Sequence, residues 1–149
     1  MISLICKKYN ITNYTINDDG SIDVNGDVYL WSRRLTELPL TFNKVTGYFN
    51  CGGNKLTTLK GCPRWVGSSF TCYNNRLTSL EFSPDYVGSS FTCINNQLTD
   101  NYCDTEIGGV FYTTLEQDGL IISNNKATNY NQWRKIYKRK LILNDIFNM

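Results

Sequence analysis

The chain repeats itself with a period of 21 residues, and this repeat constrains its fold more than any other feature. The three clearest copies are VTGYFNCGGNKLTTL at 45–59, VGSSFTCYNNRLTSL at 66–80 and VGSSFTCINNQLTD at 87–100. Four residue types keep the step: Phe49, Phe70 and Phe91, then Cys51, Cys72 and Cys93, then Asn54, Asn75 and Asn96, and finally Leu56, Leu77 and Leu98. A fixed short period of this kind is typical of a solenoid, in which each unit contacts only its neighbours.

The repeating unit, V-G-x-x-F-x-C-x-x-N-x-L-T-x-L, indicates short strands that stack on one another. In F-x-C, the alternation of a strand turns Phe and Cys inward and the residue between them outward. The Asn follows the strand, where its side chain can hydrogen-bond to the backbone of the adjacent turn. We therefore predict a ladder of Asn54, Asn75 and Asn96, while the leucines return to the core and the valine closes each circuit.

This unit strongly resembles the leucine-rich repeat, whose L-x-L-x-x-N-x-L pattern is matched by Phe49-x-Cys51-x-x-Asn54-x-Leu56 and its copies. The resemblance implies a mainly β solenoid of about five repeats over 28–128, with its short strands stacked in a parallel sheet on one face. Because 21 residues leave little room for a convex helix, the opposite side is predicted to be extended or turn-like. The repeats also resemble those of proteins from large tailed bacteriophages and related mobile elements.

We expect one domain over 1–149, with an N-terminal β cap at 1–27. The segments SIDV and DVYL flank Asn25-Gly26, which is a strong hairpin signal. A short helix is predicted within 2–9. The first repeat begins at Val28 and carries Arg33 at the position of the ladder asparagine, which suits a terminal unit with one neighbour missing.

The C-terminal end departs from the repeat. Its fifth unit is predicted to be interrupted by a hairpin, in which Phe111 opens the strand, residues 116–119 turn, and Asn124-Asn125 resume the pattern. Residues 131–148 change to near-helical spacing. This change predicts a helix over 129–149 that caps the stack.

Composition leaves the partner class open but narrows the location. The net charge of +2 excludes neither protein nor nucleic-acid partners, and no apolar run approaches the roughly 18 residues that a membrane span needs. The N-terminus lacks the features of a secretory signal. We expect a soluble protein that has no membrane partner. Its expected location is the cytoplasm, which would be the host-cell cytoplasm if a phage encodes the protein.

Residue types argue against catalysis and metal binding. The chain has no His, which excludes Ser-His and Cys-His nucleophile pairs. The six cysteines form no Cys-x-x-Cys pair, and those of the repeat are expected to be buried apolar groups and not zinc ligands. Asp100, Asp104 and Glu106 are the one acidic cluster that a divalent cation would suit, although a solvated loop explains them better. We predict no enzyme activity, no cofactor and no metal.

Outward side chains of the stacked strands are the candidate binding residues. The position after each inward Phe holds Tyr29, Asn50, Thr71 and Thr92, followed by Tyr112 or Ile121. Two residues later stand Trp31, Gly52, Tyr73 and Ile94. Exposed aromatic residues often mark protein interfaces, although these side chains can also pack on one another. Trp65 and Tyr86 are in phase on the returning arc, where they either cover that side or form a second interface.

A second candidate surface is basic. Arg34, Lys55 and Arg76 follow the asparagine position in successive repeats, at the strand spacing of about 4.8 Å. Five cations fall within 134–140: Arg134, Lys135, Lys138, Arg139 and Lys140. A line of cations can follow phosphates, but it can equally be a solvated edge, and basic residues late in a helix suit its dipole.

These patterns predict a non-enzymatic protein-binding module, and the phage resemblance implies a host protein as its target. An anti-defence inhibitor that blocks an antiviral host complex fits such a small binder. Nucleic-acid binding through the basic residues is the first alternative, and it would weaken steeply with salt. A structural virion component is the second alternative, and it would self-associate.

Overall fold

The computed structural model describes residues 1–99 and 103–113, together with the backbone of three short strands at 116–117, 120–121 and 125–126. These residues form a mainly β solenoid of about four turns, with one short helix before it. The helix α1, Ile2–Lys8, buries Cys6 and packs Ile2 and Ile5 against the core. The strands are β1 Tyr14–Ile16, β2 Ile22–Val24, β3 Val28–Tyr29, β4 Phe42–Val45, β5 Phe49–Asn50, β6 Trp65–Val66, β7 Phe70–Thr71, β8 Tyr86–Val87, β9 Phe91–Thr92, β10 Glu106–Ile107, β11 Val110–Tyr112, β12 Glu116–Gln117, β13 Leu120–Ile121 and β14 Asn125–Lys126.

Each turn contributes one strand to each of two sheets. The sheet with strand order β1-β2-β4-β6-β8-β10, whose strands mostly end in Val, is called the valine sheet. The sheet with order β14-β11-β9-β7-β5-β3, in which most strands carry an inward Phe, is called the phenylalanine sheet. The side that was predicted to be extended or turn-like is thus a second parallel sheet.

The register of both sheets repeats the sequence period. Phe49 lies opposite Phe70, which lies opposite Phe91 in turn. On the other side of each turn, Val45 lies opposite Val66. The inward direction predicted for Phe and Cys is confirmed, because these side chains are fully buried in the central turns. The core is therefore a column in which each Phe ring contacts the next, at centroid distances of 5.0–5.7 Å.

The asparagine ladder is confirmed. Asn75 donates through Nδ2 to the carbonyls of Cys51 in the preceding turn and Cys72 in its own, both at 3.0 Å, and its Oδ1 accepts the N–H of Leu56 at 3.0 Å. Asn54 and Asn96 make equivalent bonds. The amide satisfies backbone groups that would otherwise be buried without partners, and so it ties neighbouring turns together.

A column of left-handed backbone precedes the ladder. The residue before each ladder position has a positive φ, which is 52° at Ser32, 64° at Gly53, 49° at Asn74 and 54° at Asn95. Gly and Asn tolerate this conformation better than other residues. The conformation explains the first residue of the pairs Asn74-Asn75 and Asn95-Asn96, for which the sequence pattern alone offered no role.

The corner between the two sheets explains the glycine of V-G-S-S-F. A Cβ at Gly67 would overlap the carbonyl oxygen of Thr46, and one at Gly88 would overlap that of Gly67. Successive turns therefore approach so closely at this corner that only glycine fits in the central repeats.

The prediction of a hairpin at Asn25-Gly26 is wrong, because the N-terminal hairpin lies earlier in the sequence. β1 pairs antiparallel with β2, and the connection between them spans 17–21. Asn25 and Gly26 instead form the corner that leads from β2 in the valine sheet to β3 in the phenylalanine sheet. Thr46 holds this corner, because its hydroxyl accepts the N–H of Gly26 and donates to Asn25. The predicted short helix at 2–9 is confirmed by α1.

At the other end, β11 pairs in parallel with β9, as the position of Phe111 predicted. The inserted hairpin is confirmed by the antiparallel pairing of β12 with β13, although Glu116 and Gln117 belong to a strand and not to the turn. Asn125 does not resume the parallel pattern, because β14 pairs antiparallel with β11. The predicted helix over 129–149 lies outside the described residues.

Candidate protein-binding surface

The first outward column divides into an exposed end and a covered middle. Tyr29 is 49% exposed, whereas Asn50 and Thr71 are only 9% and 6% exposed. Thr92 and Tyr112 are intermediate. The expectation that the whole column faces solvent is therefore wrong for Asn50 and Thr71.

Tyr48 provides part of this cover. Its hydroxyl lies 2.9 Å from the hydroxyl of Thr71 in the next turn, and its ring lies 5.8 Å from that of Tyr29 in the preceding one. The side chain of Asn50 is engaged locally, because its Oδ1 accepts the N–H of Gly52 at 2.9 Å. Small polar residues in the middle of the sheet thus support the surface, and large aromatic rings form it.

The second outward column lies just past the short strands of the phenylalanine sheet and begins with an exposed aromatic side chain. Trp31 is 53% exposed. In the next turn Gly52 leaves a gap, and the ring of Tyr73 from the turn beyond leans into it, since a Cβ on Gly52 would overlap that ring. Tyr73 is consequently half-buried, and Ile94 in the following turn is also half-buried.

Tyr29, Trp31, Tyr48 and Tyr73 form what we call the aromatic cluster, at the N-terminal end of the phenylalanine sheet. Sequence reasoning included three of them and missed Tyr48. The signal was present, because strand alternation also places the residue before an inward Phe on the outer side. The hydroxyl of Tyr29 donates to the carboxylate of Asp27 at 3.2 Å, and this bond raises the pKa of Tyr29.

The basic stripe of Arg34, Lys55 and Arg76 is exposed in three successive turns. The backbone keeps the stripe in line, since Lys55 N–H donates to Leu35 and Arg76 N–H donates to Leu56, both at 2.8 Å. Arg34 departs from its counterparts in having a φ of 61°. The cations Arg134, Lys135, Lys138 and Arg139 lie outside the described residues.

The outer face of the valine sheet carries a different arrangement. Lys44, Trp65 and Tyr86 lie opposite one another in adjacent strands. Trp65 stacks on Tyr86 at 5.4 Å, and the Lys44 ammonium lies 4.8 Å from the Trp65 ring. These rings cover each other, and Trp65 is 38% exposed.

The cysteines are poorly suited to chemistry. All six are buried and none forms a disulfide, and burial raises the pKa of Cys51 and of Cys93 to about 12. A protonated, inaccessible thiol is a weak nucleophile and a weak metal ligand. Within 1–99 and 103–113, the structure gathers no group of three or more acidic, Cys or His side chains that would hold a metal, and Asp100 lies outside these ranges.

In the part of the chain that the structure describes, no helix is long and apolar enough to cross a bilayer. Comparison with family models, with curated proteins and with solved structures finds no match for this chain. The relation to leucine-rich repeats and to phage proteins thus stays a prediction from the repeat motif. The architecture is a β-solenoid with two mainly parallel sheets, each of which ends in one antiparallel strand.

Proposed function

We propose that this chain is a non-enzymatic protein-binding module that engages its partner through the aromatic cluster on the phenylalanine sheet. The observation that carries the proposal is the exposure of Tyr29 and Trp31, at 49% and 53%, on a rigid strand framework. Tyr and Trp dominate the energetics of many protein interfaces, because they bury a large area with little loss of conformational freedom.

The surrounding residues suit this role. Tyr73 and Ile94 extend the apolar surface along the solenoid, and Thr92 continues it at the rim. Asn50 and Thr71 lie beneath this surface and support it, because their side chains are buried against their neighbours. An apolar centre with a polar rim is the usual anatomy of a protein interface. The repeat motif's phage resemblance directs the proposal toward a host protein, such as a component of an antiviral defence complex.

The test is affinity capture from lysate of a bacterial host, with and without nuclease, read by mass spectrometry. The proposal expects a stoichiometric protein that is retained after nuclease treatment. The purified pair should then lose affinity by about 2 kcal/mol or more with Trp31→Ala, which is the loss typical of a central aromatic anchor.

The chain offers a matched control. Trp65→Ala removes an indole that is 38% exposed on the opposite sheet, so it should leave the affinity unchanged. The double variant Tyr73→Ala, Ile94→Ala tests the extension of the surface along the solenoid. Binding that is indifferent to all three changes on the phenylalanine sheet would remove that face from consideration.

Nucleic-acid binding is the second candidate, and the alignment of Arg34, Lys55 and Arg76 in successive turns favours it. Binding to phosphates releases counterions, so its affinity should fall linearly with the logarithm of salt concentration. The variant that changes these three residues to Glu should abolish such binding. Capture of nucleic acid, or a partner that is lost on nuclease treatment, would move this candidate to first place.

A further inference from the structure

The two sheets end differently at the N-terminal side of the solenoid. In the valine sheet the chain adds β1 as an extra antiparallel strand beyond β2. In the phenylalanine sheet, β3 is the terminal strand on that side. Among the described residues, the chain therefore supplies an edge strand to the valine sheet and none to the corresponding place beside the phenylalanine sheet.

The hydrogen bonds of β3 and of Leu30, the residue after it, show which backbone groups this place would receive. Val28 and Leu30 donate their N–H groups to the carbonyls of Tyr48 and Asn50 in the next turn, at 2.8 and 2.7 Å. The N–H groups of Val28, Leu30 and Ser32 all face the next turn, so those of Tyr29 and Trp31, which alternate with them, are directed to the outer edge. No backbone group within the described ranges hydrogen-bonds to them there.

From this arrangement we infer that an acidic, extended segment of a partner protein binds as an added strand along β3. The inference rests on the proposed function and names the form of its partner. An extended backbone is the chemistry that matches alternating N–H and C=O groups along a strand edge. Its outward side chains would pack beside Tyr29 and Trp31 as cross-strand neighbours.

Charge selects an acidic segment over a second copy of this chain. Arg33 and Arg34 follow the edge directly, both are exposed, and neither forms an ion pair within the described residues. Asp27 at the other end of the strand already accepts the N–H of Tyr48 and the hydroxyl of Tyr29. A second copy would bring the same arginines to a carboxylate that is already engaged.

The probe is a library of short random peptides displayed on yeast and selected against the full chain. Selected peptides are expected to be rich in acidic and β-branched residues. Their synthetic forms should bind about tenfold or more weakly to Tyr29→Pro than to Tyr29→Ala, because proline also removes the outward N–H. Proline is tolerated at this position, since the Tyr29 N–H is not used in the sheet.

Ile16→Pro is the matched control on the other sheet. Asn17 N–H donates to Ser21 and Asn25 N–H donates to Asn13, so the antiparallel pairing leaves the Ile16 N–H directed outward as well. This variant should bind the peptides normally. A loss equal to that of Tyr29→Pro would overturn the inference.

A second measurement does not depend on a folded proline variant. Two N-methylated forms of a selected peptide are compared, one methylated at the odd amides and one at the even amides. Strand pairing requires that one form loses binding and the other keeps it, because only alternate N–H groups face the edge. Equal effects in both forms, or failure to select any peptide, would overturn strand addition. A captured partner that needs Trp31 but binds Tyr29→Pro would keep the proposed function and reject this inference. A concentration-dependent dimer that Tyr29→Pro dissociates would assign the edge to a second copy and would also reject it.

Discussion

The central turns of the solenoid and its first turn come from one repeat but use their outer side differently. In the central turns the outward residues Asn50 and Thr71 are 9% and 6% exposed. In the first turn the equivalent Tyr29 is 49% exposed, and Trp31 two residues later is 53% exposed. A central turn is paired on both sides, whereas the first turn of the phenylalanine sheet is paired on one. Within the described residues, the middle turns therefore use their hydrogen-bonding and packing capacity in stacking, whereas the first turn of the phenylalanine sheet uses it on one side only.

The largest effect should come from the middle of the core. Phe70 contacts Phe49 at 5.7 Å and Phe91 at 5.0 Å, so Phe70→Ala removes support from both neighbours. We expect a loss of about 3–5 kcal/mol in the free energy of unfolding, measured by urea denaturation. Phe82→Ala is the control, because Phe82 is 53% exposed. A loss below about 1 kcal/mol for Phe70→Ala would contradict the central role of this column.

Substitutions at the ladder position, Asn75 in a central turn and Arg33 in the first turn, compare the two regions directly. Asn75→Ala leaves the carbonyls of Cys51 and Cys72 and the N–H of Leu56 without their side-chain partner, so it should cost about 1–3 kcal/mol. Arg33 occupies the same phase in the first turn, where no preceding turn exists. Arg33→Ala should change stability by less than about 0.5 kcal/mol. Equal losses in urea titrations of the two variants would show that the first turn is stacked like the rest.

Alkaline pH should weaken the central turns through their buried thiols. The folded pKa values of Cys51 and Cys93 are raised from 9.0 to about 12. In the unfolded chain these thiols ionise above about pH 9, while the folded form keeps its protons, so stability is complete below that pH and falls as pH rises toward 12. Each thiol should contribute a decline of about 1.4 kcal/mol per pH unit. Urea titrations across this range should show a shallower decline for Cys93→Ala, and an unchanged slope would exclude this origin.

The smallest predicted change in stability concerns Phe82, which has left-handed backbone at a position where the preceding repeat has glycine. Phe82 has a φ of 67° in a turn whose counterpart one repeat earlier is Gly61, with a φ of 93°. The two turns share the same closing bond, from Ser83 N–H to Leu80 and from Cys62 N–H to Leu59. Phe82→Gly should therefore raise stability by about 0.5–1 kcal/mol, visible as a higher Tm. A lower Tm would mean that the exposed ring contributes packing that outweighs the strain of its backbone.

The repeat made the solenoid, the inward phenylalanines and the asparagine ladder predictable, because each depends on contacts between residues in the same phase. The second parallel sheet was missed because its strands, such as Trp65–Val66, are too short to show a period of two. Asn25-Gly26 misled because a corner between sheets uses the same turn residues as a hairpin. The cover over Thr71 depends on Tyr48, which the other repeats replace by Ser69 and Ser90, so the repeat pattern did not single it out although strand alternation placed it on the outer side.

Hydrogen–deuterium exchange resolved to single amides tests the contrast between the two regions most directly. Thr71 lies between two paired strands, whereas Tyr29 and Trp31 direct their amides to the outer edge. The account predicts fast exchange at Tyr29 and Trp31, slow exchange at Val28 and Leu30, whose N–H groups bond to the next turn, and slow exchange at Thr71. Protection at Tyr29 and Trp31 equal to that at Thr71 would show that the edge is already covered, and it would contradict the account.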